Sequence, residues 1–125
     1  MKRMLSALIF LLLPCALQAH APPLEIAADG RSFQADGEPF FWLGDTGWLM
    51  LSRLDREETE HYLRTRKKQG FNVIQAMILH TPEMDMRYGA PALVDGDPGR
   101  PLLTPGNDPA VDGEYDFWDH LDWVA

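Results

Sequence analysis

The chain has 125 residues, a hydrophobic content of 46% and a formal net charge of −8. This hydrophobic content excludes global disorder, and the acidic excess argues against binding to nucleic acid or to an anionic membrane. Cleavage of an N-terminal segment containing Lys2 and Arg3 would leave nine basic and 19 acidic residues, a net charge of −10.

The first 20 residues predict a secretory signal peptide. A basic start (Lys2, Arg3) precedes an apolar stretch, Leu5–Leu13, and small residues end at Ala19. The apolar stretch is too short to span a bilayer. Cys15 offers lipidation as an alternative, but proline precedes it where lipoprotein signals have a small residue. We expect a secreted or periplasmic protein that is free of the membrane after cleavage, with residues 24–125 as its domain.

Two Asp-Gly pairs, at residues 29–30 and 36–37, predict tight turns in a small β-meander. They separate three short strands, Leu24–Ala27, Ser32–Ala35 and Pro39–Leu43. The third run is almost wholly apolar, which is typical of a strand buried on both faces. We therefore expect Trp42 to be buried.

Residues 55–70 predict a helix and residues 71–79 a second buried strand. Asp55 and Glu58 form a capping-box pattern, and Gly70 is a left-handed stop. A helix between two buried strands indicates a parallel βαβ unit. The stretch from residue 80 to 113 shows no periodicity and is long for a connection, which favours a functional or disordered loop. Residues 114–125 return to a helical pattern.

This element order predicts an α/β fold, the N-terminal part of a (β/α)8 TIM barrel preceded by a small meander. A complete barrel needs about 250 residues, so we expect the barrel to be incomplete here. The acids, histidines and glycines show no pattern for a metal, a phosphate or another cofactor, and we predict none.

Several segments carry a resemblance to a known family: residues 40–48, 56–58, 70–75, 88–89, 97–98 and 117–123. They resemble the N-terminal part of the apiosidase-like glycoside hydrolases, over nearly all of residues 24–125. The resemblance implies a secreted barrel enzyme that hydrolyses O-glycosidic bonds in complex, plant-type polysaccharide side chains with two carboxylates. In such barrels these carboxylates come from later strands, so we expect the catalytic residues beyond Ala125.

Four residues near the predicted carboxyl ends of the strands are candidates for substrate binding. Asp45 either accepts hydrogen bonds from sugar hydroxyls or caps the turn that follows it. Trp48 either packs in the core or offers a flat apolar face to a sugar ring, and its place after the turn favours the second. Gln75 is a polar residue in an apolar strand, and His80 follows that strand; substrate contact and internal hydrogen bonding are both open for them.

The predicted function is therefore that of an N-terminal portion of a secreted glycoside hydrolase with a carbohydrate substrate. A catalytically inactive carbohydrate-binding protein and a truncated gene product are the alternatives. The oligomeric state does not follow from the sequence.

Overall fold

The structure is a computed structural model, and it describes residues 22–84 and 86–125. The predicted signal peptide, residues 1–20, lies outside the described residues. The chain divides into two compact units, one ending at Phe40 and the other starting at Phe41. Within the described ranges, no helix has the length and apolar character needed to cross a membrane.

The first unit contains the predicted meander. Its antiparallel strands are β1 (Leu24–Ile26), β2 (Phe33–Ala35) and β3 (Glu38–Phe40), in that spatial order. Asp36 and Gly37 connect β2 to β3 with φ angles of 52° and 77°. Two positive φ angles in a two-residue connection are those of a type I′ turn, which matches the twist of the flanking strands.

The second unit contains a parallel βαβ arrangement. Strand β4 (Gly44–Gly47) pairs in parallel with β5 (Val73–Ala76), and the register places Asp45 opposite Ile74 and Thr46 opposite Gln75. Two helices lie between these strands in the sequence, α1 (Met50–Arg53) and α2 (Arg56–Lys68). A third helix, α3 (Phe117–Val124), follows a long connection.

The prediction of one buried strand over residues 39–43 is wrong. β3 ends at Phe40 and β4 begins at Gly44, and Phe41 and Trp42 in the linker are 78% and 51% exposed. The expected burial of Trp42 is therefore also wrong. The sequence does not show where β3 ends and β4 begins, because no polar residue separates the two strands. They belong to different sheets.

Helix α2 follows the sequence prediction closely. Asp55 accepts a hydrogen bond from the Glu58 amide at 2.9 Å, and Glu58 accepts one from the Asp55 amide at 3.0 Å, which completes the capping box. Gly70 has φ of 95°, the left-handed stop expected at this end. Tyr62 and Leu63 pack against the hydrophobic core, as their spacing predicts.

Part of the connection from residue 80 to 113 is buried in the hydrophobic core of the second unit. Met84, Met86, Ala92 and Leu93 are buried and form a cluster with Phe117 at the start of α3. Their burial does not follow from periodicity, because a connection that wraps over a core buries side chains at irregular intervals. The predicted stripe on α3 is confirmed, since Leu121 and Val124 also pack against this core.

Candidate functional site

The two faces of the β4–β5 pair differ in chemistry. Residues opposite one another in a parallel register lie on the same face. On one face, Ile74 and Ala76 pack against the core that includes residues of α2. On the other face, Thr46 and Gln75 lie side by side and are exposed. We call this second side the open face.

Trp48 lies at the carboxyl end of the open face. It follows the last residue of β4 directly, and its side chain is 48% exposed. Ligands in parallel α/β folds bind outside the carboxyl ends of the strands. The position of Trp48 is therefore one at which an aromatic ring can meet a ligand.

Trp48 and Gln75 line one groove. The groove has a volume of about 400 Å³, and its other lining residues are the end of β5 and the residues after it, Ala76–Leu79. An indole ring packs against the apolar face of a sugar, and a carboxamide both donates and accepts hydrogen bonds. The groove thus combines the two kinds of contact that a carbohydrate requires, and its lining contains no carboxylate.

Asp45 lies on the face of β4 that meets α2. The Tyr62 hydroxyl donates a hydrogen bond to Asp45 Oδ2 at 2.7 Å. Arg66 Nε lies 2.5 Å from the same oxygen, in an ion pair without the alignment of a hydrogen bond. The hydrogen bond from Tyr62 is the main cause that lowers the pKa of Asp45, with contributions from the Thr46 amide and Arg66. Burial and the bond to Asp45 raise the pKa of Tyr62.

His80 is exposed and does not line the groove. It follows β5, which ends at Ala76. The structure thus brings Trp48 and Gln75 together and places Asp45 against α2, whereas His80 does not line the groove. Substrate contact by each of these residues stays a prediction.

Trp48 also lines a second groove. Its volume is about 260 Å³, and Tyr62 and Arg66 of α2 line it together with residues 46–50 and Arg53 and Leu54. Trp48 therefore forms a wall shared by two grooves, one at the end of β5 and one against α2.

The sequence prediction missed a cluster around His120. His120 is 1% exposed, and its Nδ1 lies 3.2 Å from the Tyr115 hydroxyl. Arg56 donates from Nε to the same hydroxyl at 2.9 Å, and its guanidinium lies over the rings of Tyr115 and Trp123 at 4.6 and 5.1 Å. Burial, and then the charge of Arg56, lower the pKa of His120.

One signal for this cluster was present in the sequence. His120 is three residues after Phe117, so it shares the apolar side of α3 with that residue. The cluster links the start of α2 to α3 through the Tyr115 hydroxyl. Among residues 22–84 and 86–125, no group of three or more His, Cys, Asp and Glu side chains is arranged to hold a metal ion.

Comparison with known proteins finds one family model and solved structures that are similar to this chain. The family model described as "Apiosidase-like, catalytic domain" matches residues 27–125. A crystal structure of a glycoside hydrolase family 5 protein from Bacteroides vulgatus superposes with a TM-score of 0.65 and 36% sequence identity, over 81% of this chain and 21% of that chain. A second structure, described as a glycoside hydrolase, gives a TM-score of 0.65 and 36% identity, over 82% of this chain and 22% of that chain.

The chain thus spans about a fifth of the length of these two solved structures. A comparison with curated protein sequences finds no match. The structural matches confirm the predicted fold class, α/β with part of a larger (β/α)8 barrel.

Proposed function

The chain belongs to the apiosidase-like family of catalytic domains, and on this premise we propose that it supplies part of the substrate site of a secreted glycoside hydrolase. The substrate in this proposal is a complex, plant-type polysaccharide side chain, and the reaction is hydrolysis of an O-glycosidic bond. The observation that carries the proposal is the groove shared by Trp48 and Gln75 at the carboxyl ends of β4 and β5.

Hydrolysis in this proposal uses two carboxylates. One protonates the leaving oxygen, and the other acts as nucleophile or as base toward water. The groove lining contains neither, and in this proposal both come from later strands of the barrel, as the family resemblance implies. Trp48 stacks on a sugar ring, and Gln75 exchanges hydrogen bonds with its hydroxyls. These contacts hold the scissile bond in place for the carboxylates.

Substrate binding is tested by calorimetric titration of the chain with oligosaccharides released from plant cell walls. Trp48→Ala should weaken binding by roughly tenfold, because the loss of an aromatic stacking surface costs on the order of 1.4 kcal/mol. Phe41→Ala is the matched control, since Phe41 is 78% exposed and lies outside the groove. Equal affinities for Trp48→Ala and the unaltered chain would count against the groove.

A second candidate function is carbohydrate binding without hydrolysis. The absence of a carboxylate from the groove lining favours it for this chain by itself. Reducing ends released from polysaccharide are measured for the chain and for a product that also carries the remaining barrel strands. The proposal expects release by the longer product alone. Release by neither, with binding by both, would favour the binding protein.

Export is the remaining part of the proposal, and the pattern of residues 1–20 supports it. Expression of the whole chain in a bacterial host, followed by fractionation and N-terminal sequencing, tests it. We expect protein in the periplasm or the medium that begins after Ala19 or Ala21. Recovery of only uncleaved protein in the cytoplasm would overturn this part.

A further inference from the structure

Asp45 connects strand β4 to helix α2. Its side chain is 25% exposed, and one of its oxygens meets both Tyr62 and Arg66, which lie four residues apart on α2. Residues four apart lie on one side of a helix, so two side chains from the same side of α2 contact the Asp45 carboxylate. The contact lies on the face of β4 opposite the open face.

Close packing next to Asp45 strengthens this connection. Gly47 lies on the same face two residues later, and a Cβ atom there would lie 3.3 Å from Ile74 Cγ2 and 3.4 Å from Tyr62 Cε1. The Tyr62 ring therefore packs close to Gly47, and its hydroxyl reaches Asp45. The ring and the hydroxyl together determine how β4 lies against α2.

Trp48 is the next residue after this packed segment. It lines the groove of about 260 Å³ together with Tyr62 and Arg66, and it also lines the groove of about 400 Å³ that contains Gln75. The direction in which the backbone leaves β4 decides where the indole lies. That direction depends on how the end of β4 is held.

We propose that Asp45, Tyr62 and Arg66 form a positioning unit that sets the orientation of Trp48 at the open face. Asp45 then acts through the strand and not by contact with the sugar. The inference rests on the proposed function for its effect on carbohydrate binding. The orientation of Trp48 can be measured in the chain without a bound ligand, and this part of the inference does not depend on the proposed function.

The orientation is tested first, by fluorine NMR of the chain labelled with 5-fluorotryptophan. Trp48→Phe assigns the Trp48 signal among those of the four tryptophans. Tyr62→Phe removes only the hydroxyl, and Arg66→Gln removes the charge. Both should shift or broaden the Trp48 signal and leave those of Trp118 and Trp123 in place. A general loss of structure would move all of these signals together.

Arg64→Gln is the matched control. It removes the same charge from the same helix, but among the described residues the ion pair of Arg64 is with Glu60, an exposed contact within α2. The Trp48 signal should be unchanged in this variant. Arg66→Lys keeps the charge and should restore part of the original signal. An unchanged Trp48 signal in both Tyr62→Phe and Arg66→Gln would overturn the proposal.

Carbohydrate affinity is the second readout, in a double-mutant cycle. Asp45→Asn and Tyr62→Phe should each weaken binding by roughly tenfold, and the double variant should be no weaker than either one, because residues in one network are not additive. Weaker binding in Asp45→Asn with full binding in Tyr62→Phe would show direct sugar contact and overturn the positioning role. If neither the unaltered chain nor any variant binds sugar, the proposed function fails. The fluorine signals still show whether Asp45, Tyr62 and Arg66 set the orientation of Trp48.

Discussion

At the scale of single residues, the amide side chain of Asn72 holds the linker between β3 and β4. The Leu43 amide donates to Asn72 Oδ1 at 2.9 Å, and Asn72 Nδ2 donates to the Phe41 carbonyl at 2.7 Å. The Asn72 amide also donates to the Leu43 carbonyl at 3.0 Å. A side-chain amide has one donor side and one acceptor side, so it pairs with the linker as a neighbouring strand would.

Asn72→Ala should therefore destabilise the second unit. Two hydrogen bonds are lost in an exposed setting, and we expect a cost of about 1 kcal/mol in the free energy of unfolding. Urea denaturation measures it. Asn72→Asp keeps the acceptor toward Leu43 but sets a carboxylate oxygen against the Phe41 carbonyl, so it should not restore the stability of the unaltered chain. Unchanged stability of Asn72→Ala would contradict the role of this side chain.

At the scale of elements, both longer helices begin with a capping box. Helix α2 has it at Asp55 and Glu58, and α3 has it at Asp116 and Asp119. Such caps are local, which is why the start of α2 follows from the sequence. Helix α1 was missed because four residues from Met50 to Arg53 are too few to give a period. Its burial depends on contacts with the rest of the unit.

Asp116 also fixes the connection that precedes α3. Its Oδ1 accepts from the Trp118 amide at 2.7 Å, and its Oδ2 accepts from the Thr104 amide at 2.7 Å. The side chain is 2% exposed. Asp116→Ala should cost about 2 kcal/mol or more, because a helix cap is lost and buried amides lose their acceptor.

Calorimetric unfolding of Asp116→Ala measures this cost. Asp116→Asn retains an oxygen acceptor for the cap and should be less destabilised. Asp55→Ala is the comparison at the start of α2. The hydrogen bonds of the Asp55 carboxylate are exposed, so its loss should cost less than the loss of the buried Asp116 carboxylate. A loss for Asp116→Ala no larger than that for Asp116→Asn would argue against a contribution of the cap to stability.

At the scale of the whole molecule, the contacts of His120 make the stability of the second unit depend on pH. His120 on α3 packs against Tyr115 and Trp123, and Arg56, the first residue of α2, lies over both of these rings. Burial and the positive charge of Arg56 lower the pKa of His120 below its ordinary value, and Asp55 opposes this in part. The unfolded chain therefore takes up a proton more readily than the folded one. The stability that neutral His120 contributes is present above about pH 6.5 and is lost as the pH falls below it.

We expect the Tm to fall as the pH is lowered from about 7 to about 5. His120→Gln should flatten this dependence, whatever its effect on the Tm at neutral pH. His61→Gln is the control, since His61 is exposed on α2, and it should keep the slope of the unaltered chain. Thermal unfolding followed by circular dichroism at several pH values measures all three. If the Tm of His120→Gln depends on pH as steeply as that of the unaltered chain, the pH dependence comes from other groups.

The sequence alone determined the features that depend on neighbouring residues. These are the Asp-Gly turns of the meander, the caps and stop of α2, the stripe on α3 and the family resemblance, which the family match over residues 27–125 confirms. Local signals suffice for them because capping bonds and turn angles involve residues only a few positions apart.

The tertiary structure alone decided where one strand ends and the next begins, and with it the direction of each side chain. Successive side chains of a strand point to opposite faces, so the faces of β4 are settled only by its pairing with β5 and its packing on α2. That packing places Asp45 against Tyr62 and Arg66, and leaves Trp48 with Gln75 at the open face. Tyr62 and Arg66 are 17 residues or more away from Asp45 in the chain, and no local pattern identifies them.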